Sequence, residues 1–62
     1  MDNVTIFDGF QTVEQNCVVM DRYEKRNSKT RQVNTYGWVN YNGKKILAEY
    51  MGNLTGWWAR TT

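Results

Sequence analysis

Tyr36-Gly37-Trp38-Val39-Asn40-Tyr41-Asn42-Gly43-Lys44-Lys45-Ile46-Leu47-Ala48-Glu49 is the stretch that decides the fold. Two runs rich in aromatic and β-branched residues flank Asn42-Gly43. Asn-Gly suits a two-residue hairpin turn, because both positions need positive φ. Such a turn pairs Tyr41 with Lys44, Val39 with Ile46, Trp38 with Leu47 and Tyr36 with Glu49.

Working outward, similar punctuation recurs at Asp8-Gly9, Asn27-Ser28 and Gly52-Asn53. Short strands are expected near 3–7, 10–14, 17–25, 30–41, 44–51 and 54–60. A two-residue turn at Gly52-Asn53 pairs Met51 with Leu54 and Ala48 with Trp57. One at Asn27-Ser28 pairs Glu24 with Arg31 and Val19 with Tyr36. Proline is absent, which suits strands that must all donate to a ladder. The expected fold is all-β, a small antiparallel meander or SH3-like barrel of roughly four to six short strands.

Two segments resist this reading. Thr12-Val13-Glu14-Gln15 is a capping-box pattern, and Val13, Cys17, Met20 and Glu24 fall near helical spacing. The competing architecture is therefore α+β, with one N-terminal helix near 13–25 packed on a three-stranded antiparallel sheet. A second helical stripe runs through Ile46, Leu47, Tyr50, Met51, Leu54, Trp57 and Trp58. Gly52 and Gly56 lie inside it and oppose a helix there.

Side chains alternate across a sheet, so the expected register sorts them into two faces. One collects Val18, Met20, Val33, Thr35, Val39, Ile46, Ala48, Tyr50, Trp57 and Ala59, and reads as core. The other collects Cys17, Val19, Tyr23, Tyr36, Trp38, Leu47, Met51, Leu54 and Trp58, with Asp21, Lys25, Asn34, Asn40, Lys45, Glu49 and Arg60 among them. Both are too apolar for a flat sheet with one wet side. Either the sheet curls into a small barrel or the aromatic face meets a partner.

Trp38-Val39-Asn40-Tyr41-Asn42-Gly43-Lys44-Lys45 resembles a hairpin of bacterial SH3-like domains, and Gly37-Trp38-Val39 is similar to WG-type repeats. The resemblance implies an SH3-like barrel. The spacing after Lys45 departs from the bacterial SH3 pattern, so no ligand and no binding residue is carried over.

The bulk composition bounds the rest. The chain of 62 residues makes one domain, 1–62. A chain this short buries only about 60% of its unfolded surface. Cys17 is the single cysteine and there is no histidine, so neither an intrachain disulfide nor a Cys/His zinc site is available. That leaves tight aromatic packing or oligomerisation, with a homodimer as one form. The lone thiol, with no signal-peptide pattern, leads to the expectation of a cytoplasmic protein.

The net charge of +2 hides an asymmetry. Residues 1–21 carry Asp2, Asp8, Glu14 and Asp21 without Lys or Arg, whereas residues 22–31 carry Arg22, Lys25, Arg26, Lys29 and Arg31 against Glu24. The two blocks either face each other across the fold or leave the basic one pointing outward to a polyanion.

That basic hairpin is the sharpest candidate for function. Arg22, Lys25, Arg26, Lys29, Arg31 and Lys45 suit phosphates, and Tyr23, Tyr36, Trp38 and Trp58 suit base stacking. The expected function is nucleic-acid binding without catalysis. The competing one is capture of a host protein through the aromatic sheet face or a sheet edge. A compact, Asn-rich, proline-free chain of this length resembles small accessory proteins of phages or mobile elements, which implies such a target. Cys17 sits amid Val18, Val19 and Met20 and reads as an inert buried thiol. With no histidine, no glycine-rich phosphate loop and no converging carboxylates, neither an enzyme nor a cofactor is expected.

Overall fold

The computed structural model describes residues 1–61 and is all-β, with no helix among them. Six strands form one sheet: β1 (Asp2–Phe7), β2 (Thr12–Cys17), β3 (Met20–Arg26), β4 (Val33–Tyr41), β5 (Lys44–Tyr50) and β6 (Trp57–Arg60). Their spatial order is β2-β1-β6-β5-β4-β3. The alternative helix near 13–25 is not formed; most of that segment lies in β2 and β3. Two-residue alternation of half-buried Val13, Gln15 and Cys17 with exposed Glu14 and Asn16 outweighs the capping-box pattern.

β2 and β3 stand at opposite ends of this order, yet only Val18 and Val19 separate them in sequence. Six flat strands would put the edges about 24 Å apart. Three residues of chain reach about 11 Å at most. The sheet must therefore curl until its edges approach. Side chains cross the gap: Gln15 Nε2 donates to the Asn40 carbonyl oxygen at 3.1 Å, and Arg22 pairs with Asp2. β2 and β3 run in the same direction and act as two halves of one bent leg. The meander then has five legs, an odd number, so its first and last strands run parallel. β1 pairs β6 in that sense, Val4 beside Trp57 and Ile6 beside Ala59. Sequence reading did not anticipate this pair; the other four pairings are antiparallel.

The Asn42-Gly43 hairpin forms in the expected register, from Tyr41 opposite Lys44 to Tyr36 opposite Glu49. Asn42 has φ 50° and Gly43 φ 80°, the left-handed pair that this turn requires. The other two turns are longer than expected. In the first, Asn27 Oδ1 accepts from the Lys29 and Thr30 amides, and the Arg31 amide donates to the Asn27 carbonyl. Arg31 sits there at φ 61°, so Glu24 faces Thr35 rather than Arg31. In the second, the Gly56 amide closes on Gly52, and Trp57 faces Tyr50 rather than Ala48. That two-residue offset leaves every side chain of β6 on its expected face.

The faces do exchange ahead of the bulge in β3, whereas Tyr23 and Lys25 beyond it keep their expected face. A bulge between Met20 and Tyr23 places Asp21 at φ 51° and breaks the alternation. Val18 is 61% exposed while Val19 is 5% exposed, the reverse of the expected sorting. Met20, Val33 and Tyr50 are also exposed rather than core. Val19 enters the interior over Gly37, the one β4 position without a side chain to block it. The core comprises Val4, Ile6, Val19, Val39, Ile46, Ala48, Trp57 and Ala59, with half-buried Cys17 and Tyr41 packed against it. Val4, Ile6 and Val39 are wholly buried, each contributing about 1.5–3 kcal/mol.

Candidate nucleic-acid interface

The alternation that sends Val39, Ile46, Ala48, Trp57 and Ala59 inward sends their neighbours outward. On the convex surface β3 presents Tyr23 and Lys25, β4 presents Tyr36 and Trp38, and β5 presents Lys45, Leu47 and Glu49. β6 adds Trp58 and Arg60, and β1 adds Phe7.

The aromatic side chains form pairs. Tyr23 and Tyr36 stack at 5.4 Å between ring centres with 26° between planes. Phe7 and Trp58 stack at 6.3 Å and 14°. Cations lie against the same surface. Lys45 Nζ stands 5.4 Å from the centre of the Trp38 ring, and the Arg60 guanidinium 5.3 Å from that of Phe7. Such contacts fix the rings against one another and against the cations, with Phe7, Tyr36, Trp38 and Trp58 half-buried and Tyr23 exposed. Between β4 and β6 a shallow depression of about 150 Å³ is lined by Tyr36, Leu47, Glu49, Trp58 and Arg60.

Of the ten residues singled out from sequence, Tyr23, Lys25, Tyr36, Trp38, Lys45 and Trp58 share this face. Arg26, Lys29 and Arg31 lie on the projecting β3–β4 hairpin beside it, Arg26 alternating to the other face from Lys25, and Lys25, Arg26, Asn27, Asn34 and Tyr36 line a polar notch there. No carboxylate pairs with Lys25, Arg26, Lys29 or Arg31 among the described residues. Arg22 departs from the set. Its guanidinium lies 5.4 Å from the ring centre of the core residue Trp57 and pairs with Asp2, while the side chain stays exposed. The bulge beside it takes Arg22 out of the alternation that aligns Tyr23 and Lys25. Lys45 has a second partner, Asp21 Oδ2 at 3.2 Å, which any phosphate must displace.

Among the described residues the two charge blocks therefore meet at one ion pair, Asp2 with Arg22, and Asp21 pairs instead with Lys45 outside the basic block. Asp8 serves its own turn instead. Its carboxylate accepts from the Gln11 and Phe10 amides, which hold its pKa below the usual carboxylate value. Among the described residues no three of Asp, Glu and Cys converge closely enough to hold a metal ion. No helix among them is long and apolar enough to cross a membrane.

Comparison with protein-family models, with curated proteins and with solved structures found no match for this chain. The surface must be read from its own chemistry. Sequence reasoning left Phe7, Glu49 and Arg60 out of the site. Glu49 and Arg60 were on the correct face but not treated as ligands. Phe7 needed the parallel β1–β6 pairing, which no local pattern announces.

Proposed function

We propose that this protein binds single-stranded nucleic acid on the convex face of its rolled sheet. Bases stack on Tyr23, Tyr36, Trp38, Trp58 and Phe7. The phosphates run along Lys25, Arg26, Lys29 and Arg31 on the hairpin, and reach Lys45 and Arg60 beside the rings. The observation that carries this reading is one surface holding stacked aromatic pairs next to cations without carboxylate partners. Strand curvature turns successive rings outward, which suits splayed bases better than a paired duplex. The backbone supplies charge contacts and the rings supply about 1–3 kcal/mol per stacked base.

The competing reading is capture of a host protein through the aromatic sheet face or a sheet edge, and its edge form draws on β3, an edge strand whose seven residues are all exposed. That edge carries a bulge and the charges of Arg22, Lys25 and Arg26, the devices that discourage strand addition. The edge is thus blunted, whereas the convex face is not.

The test is fluorescence anisotropy with a labelled oligothymidylate over a salt series, with tryptophan quenching as a second readout. Affinity should fall steeply with salt. Reversing Lys25, Arg26 and Lys29 to glutamate should abolish binding at moderate salt with the melting temperature kept, and neutral replacements should flatten the salt slope by about 0.7 per lost contact. Trp38→Ala should weaken binding without changing that slope. Salt-insensitive binding, or none at all, refutes the proposal.

A further inference from the structure

Glu49 is the anomaly of the convex face. It is a half-buried carboxylate on the central strand of a surface otherwise furnished with rings and cations. Its β4 neighbour in the ladder is Tyr36 and its β6 neighbour is Trp58, so an aromatic side chain flanks it on each side. Arg60 lines the same depression, yet the two charges form no ion pair, and Glu49 makes no side-chain hydrogen bond among the described residues. A lone carboxylate facing a polyanion weakens binding unless the ligand brings hydrogen-bond donors to it.

Resting on the function proposed above, we infer that Glu49 reads guanine. A base inserted between Tyr36 and Trp58 turns its edge toward the floor of the depression, where the carboxylate offers two acceptors. Only guanine carries two adjacent donors on its Watson–Crick edge, N1–H and the N2 amino group. Cytosine and adenine each offer one amino donor beside an acceptor nitrogen that repels the second carboxylate oxygen. Thymine and uracil flank their single N3–H with two carbonyls. Arg60, across the depression, is placed to donate to the guanine O6 or N7 acceptors, the atoms that arginine recognises on this base. An acid and a base held apart in one depression thus match the donor–donor–acceptor edge of a single nucleobase.

The experiment compares a short oligothymidylate with the same oligomer carrying one central guanine, one inosine or one adenine, by anisotropy at fixed salt. The wild-type protein should prefer guanine over thymine by about tenfold, the usual size of a good bidentate contact. Inosine lacks the N2 amino group and should lose most of that gain; adenine should lose all of it. Glu49→Gln keeps the shape but replaces one acceptor with a donor. It should bind guanine and thymine oligomers alike, and should bind the thymine oligomer at least as tightly as wild type because a negative charge has gone. Inosine changes only the ligand, so it tests the contact even if Glu49→Gln unfolds. Retained guanine preference in a folded Glu49→Gln protein overturns the inference, and so does inosine binding as well as guanine. Equal binding of all oligomers overturns the guanine reading while leaving the nucleic-acid surface standing. Failure to bind any oligomer overturns both.

Discussion

Gly37→Ala should unfold this protein more readily, although glycine to alanine in an extended strand ordinarily does the reverse. The replacement restricts the unfolded chain and is worth about 0.4–1 kcal/mol of stability where the site is open. Gly37 is not open. A Cβ there would lie 2.2 Å from Val19 Cγ1 and 3.3 Å from the Met20 carbonyl oxygen. Carbon atoms in contact stand about 3.5–4.0 Å apart, so Val19 must retreat by roughly 1.5 Å. Val19 is 5% exposed and its branched side chain has little rotamer freedom, so it cannot simply swing aside. Withdrawing it forfeits up to about 1.5–3 kcal/mol of burial, for a net loss of about 1–2 kcal/mol. That corresponds to a fall in melting temperature of about 10 °C in a chain of this size. Thermal and urea melts followed by tryptophan fluorescence will measure it. The decisive arm is the Val19→Ala background, where Cγ1 no longer exists. There Gly37→Ala should cost nothing or stabilise slightly, giving a coupling of at least about 1 kcal/mol. Equal costs in the two backgrounds, or stabilisation of the wild type, would refute the packing of Val19 over Gly37.

Three further outcomes are expected. Gly43→Val forces a β-branched residue to φ 80° and should cost about 1–2 kcal/mol, read as a lower urea midpoint; an unchanged midpoint would remove the turn from the account. Arg31 holds φ 61° where the corresponding turn between β5 and β6 places Gly56, so Arg31→Gly should raise the melting temperature by a few degrees, equivalent to about 0.5–1 kcal/mol. Asp8 has a depressed pKa in the folded state because it accepts two backbone amides, so its ionised form adds stability that is fully present above the unfolded carboxylate value and is lost as pH falls through the lower folded one. Melting temperature should therefore drop less steeply on acidification in Asp8→Asn than in wild type, and parallel pH profiles would count against the Asp8 turn.

Local chemistry made the β4–β5 hairpin legible: Asn42-Gly43 fixes a turn type, the turn type fixes the register, and the register fixes which of Val39, Ile46, Tyr36 and Trp38 face inward. The β3–β4 and β5–β6 turns were harder, because Asn27 and Gly52 start longer turns whose closing residues, Arg31 and Gly56, carry no distinctive pair signal. The β6 faces survived that error, since a slip of two residues preserves alternation. Ahead of the Asp21 bulge the faces were reversed, so that Val18 and Val19 traded places, while Tyr23 and Lys25 beyond it kept theirs. The aromatic half of the candidate surface was visible as an alternating stripe. Glu49 was not visible as a ligand, because a single acidic residue in a strand looks like any solvated charge until its flanking rings are known.

Parallel closure of β1 against β6 also dictates when this chain can fold during synthesis. Trp57 and Ala59 supply part of the core, and their strand stands hydrogen-bonded between β1 and β5. Hairpins form on microsecond timescales, but this pairing joins residues over fifty positions apart and must overcome the entropy of closing that loop. Translation adds about 5–20 residues per second. A nascent chain still lacking β6 therefore leaves β1 and β5 with unpaired edges for about 0.5–2 s, the time to add the residues from Tyr50 to Arg60. Until the Trp57–Arg60 segment has left the ribosome, those edges are open to any strand that reaches them first.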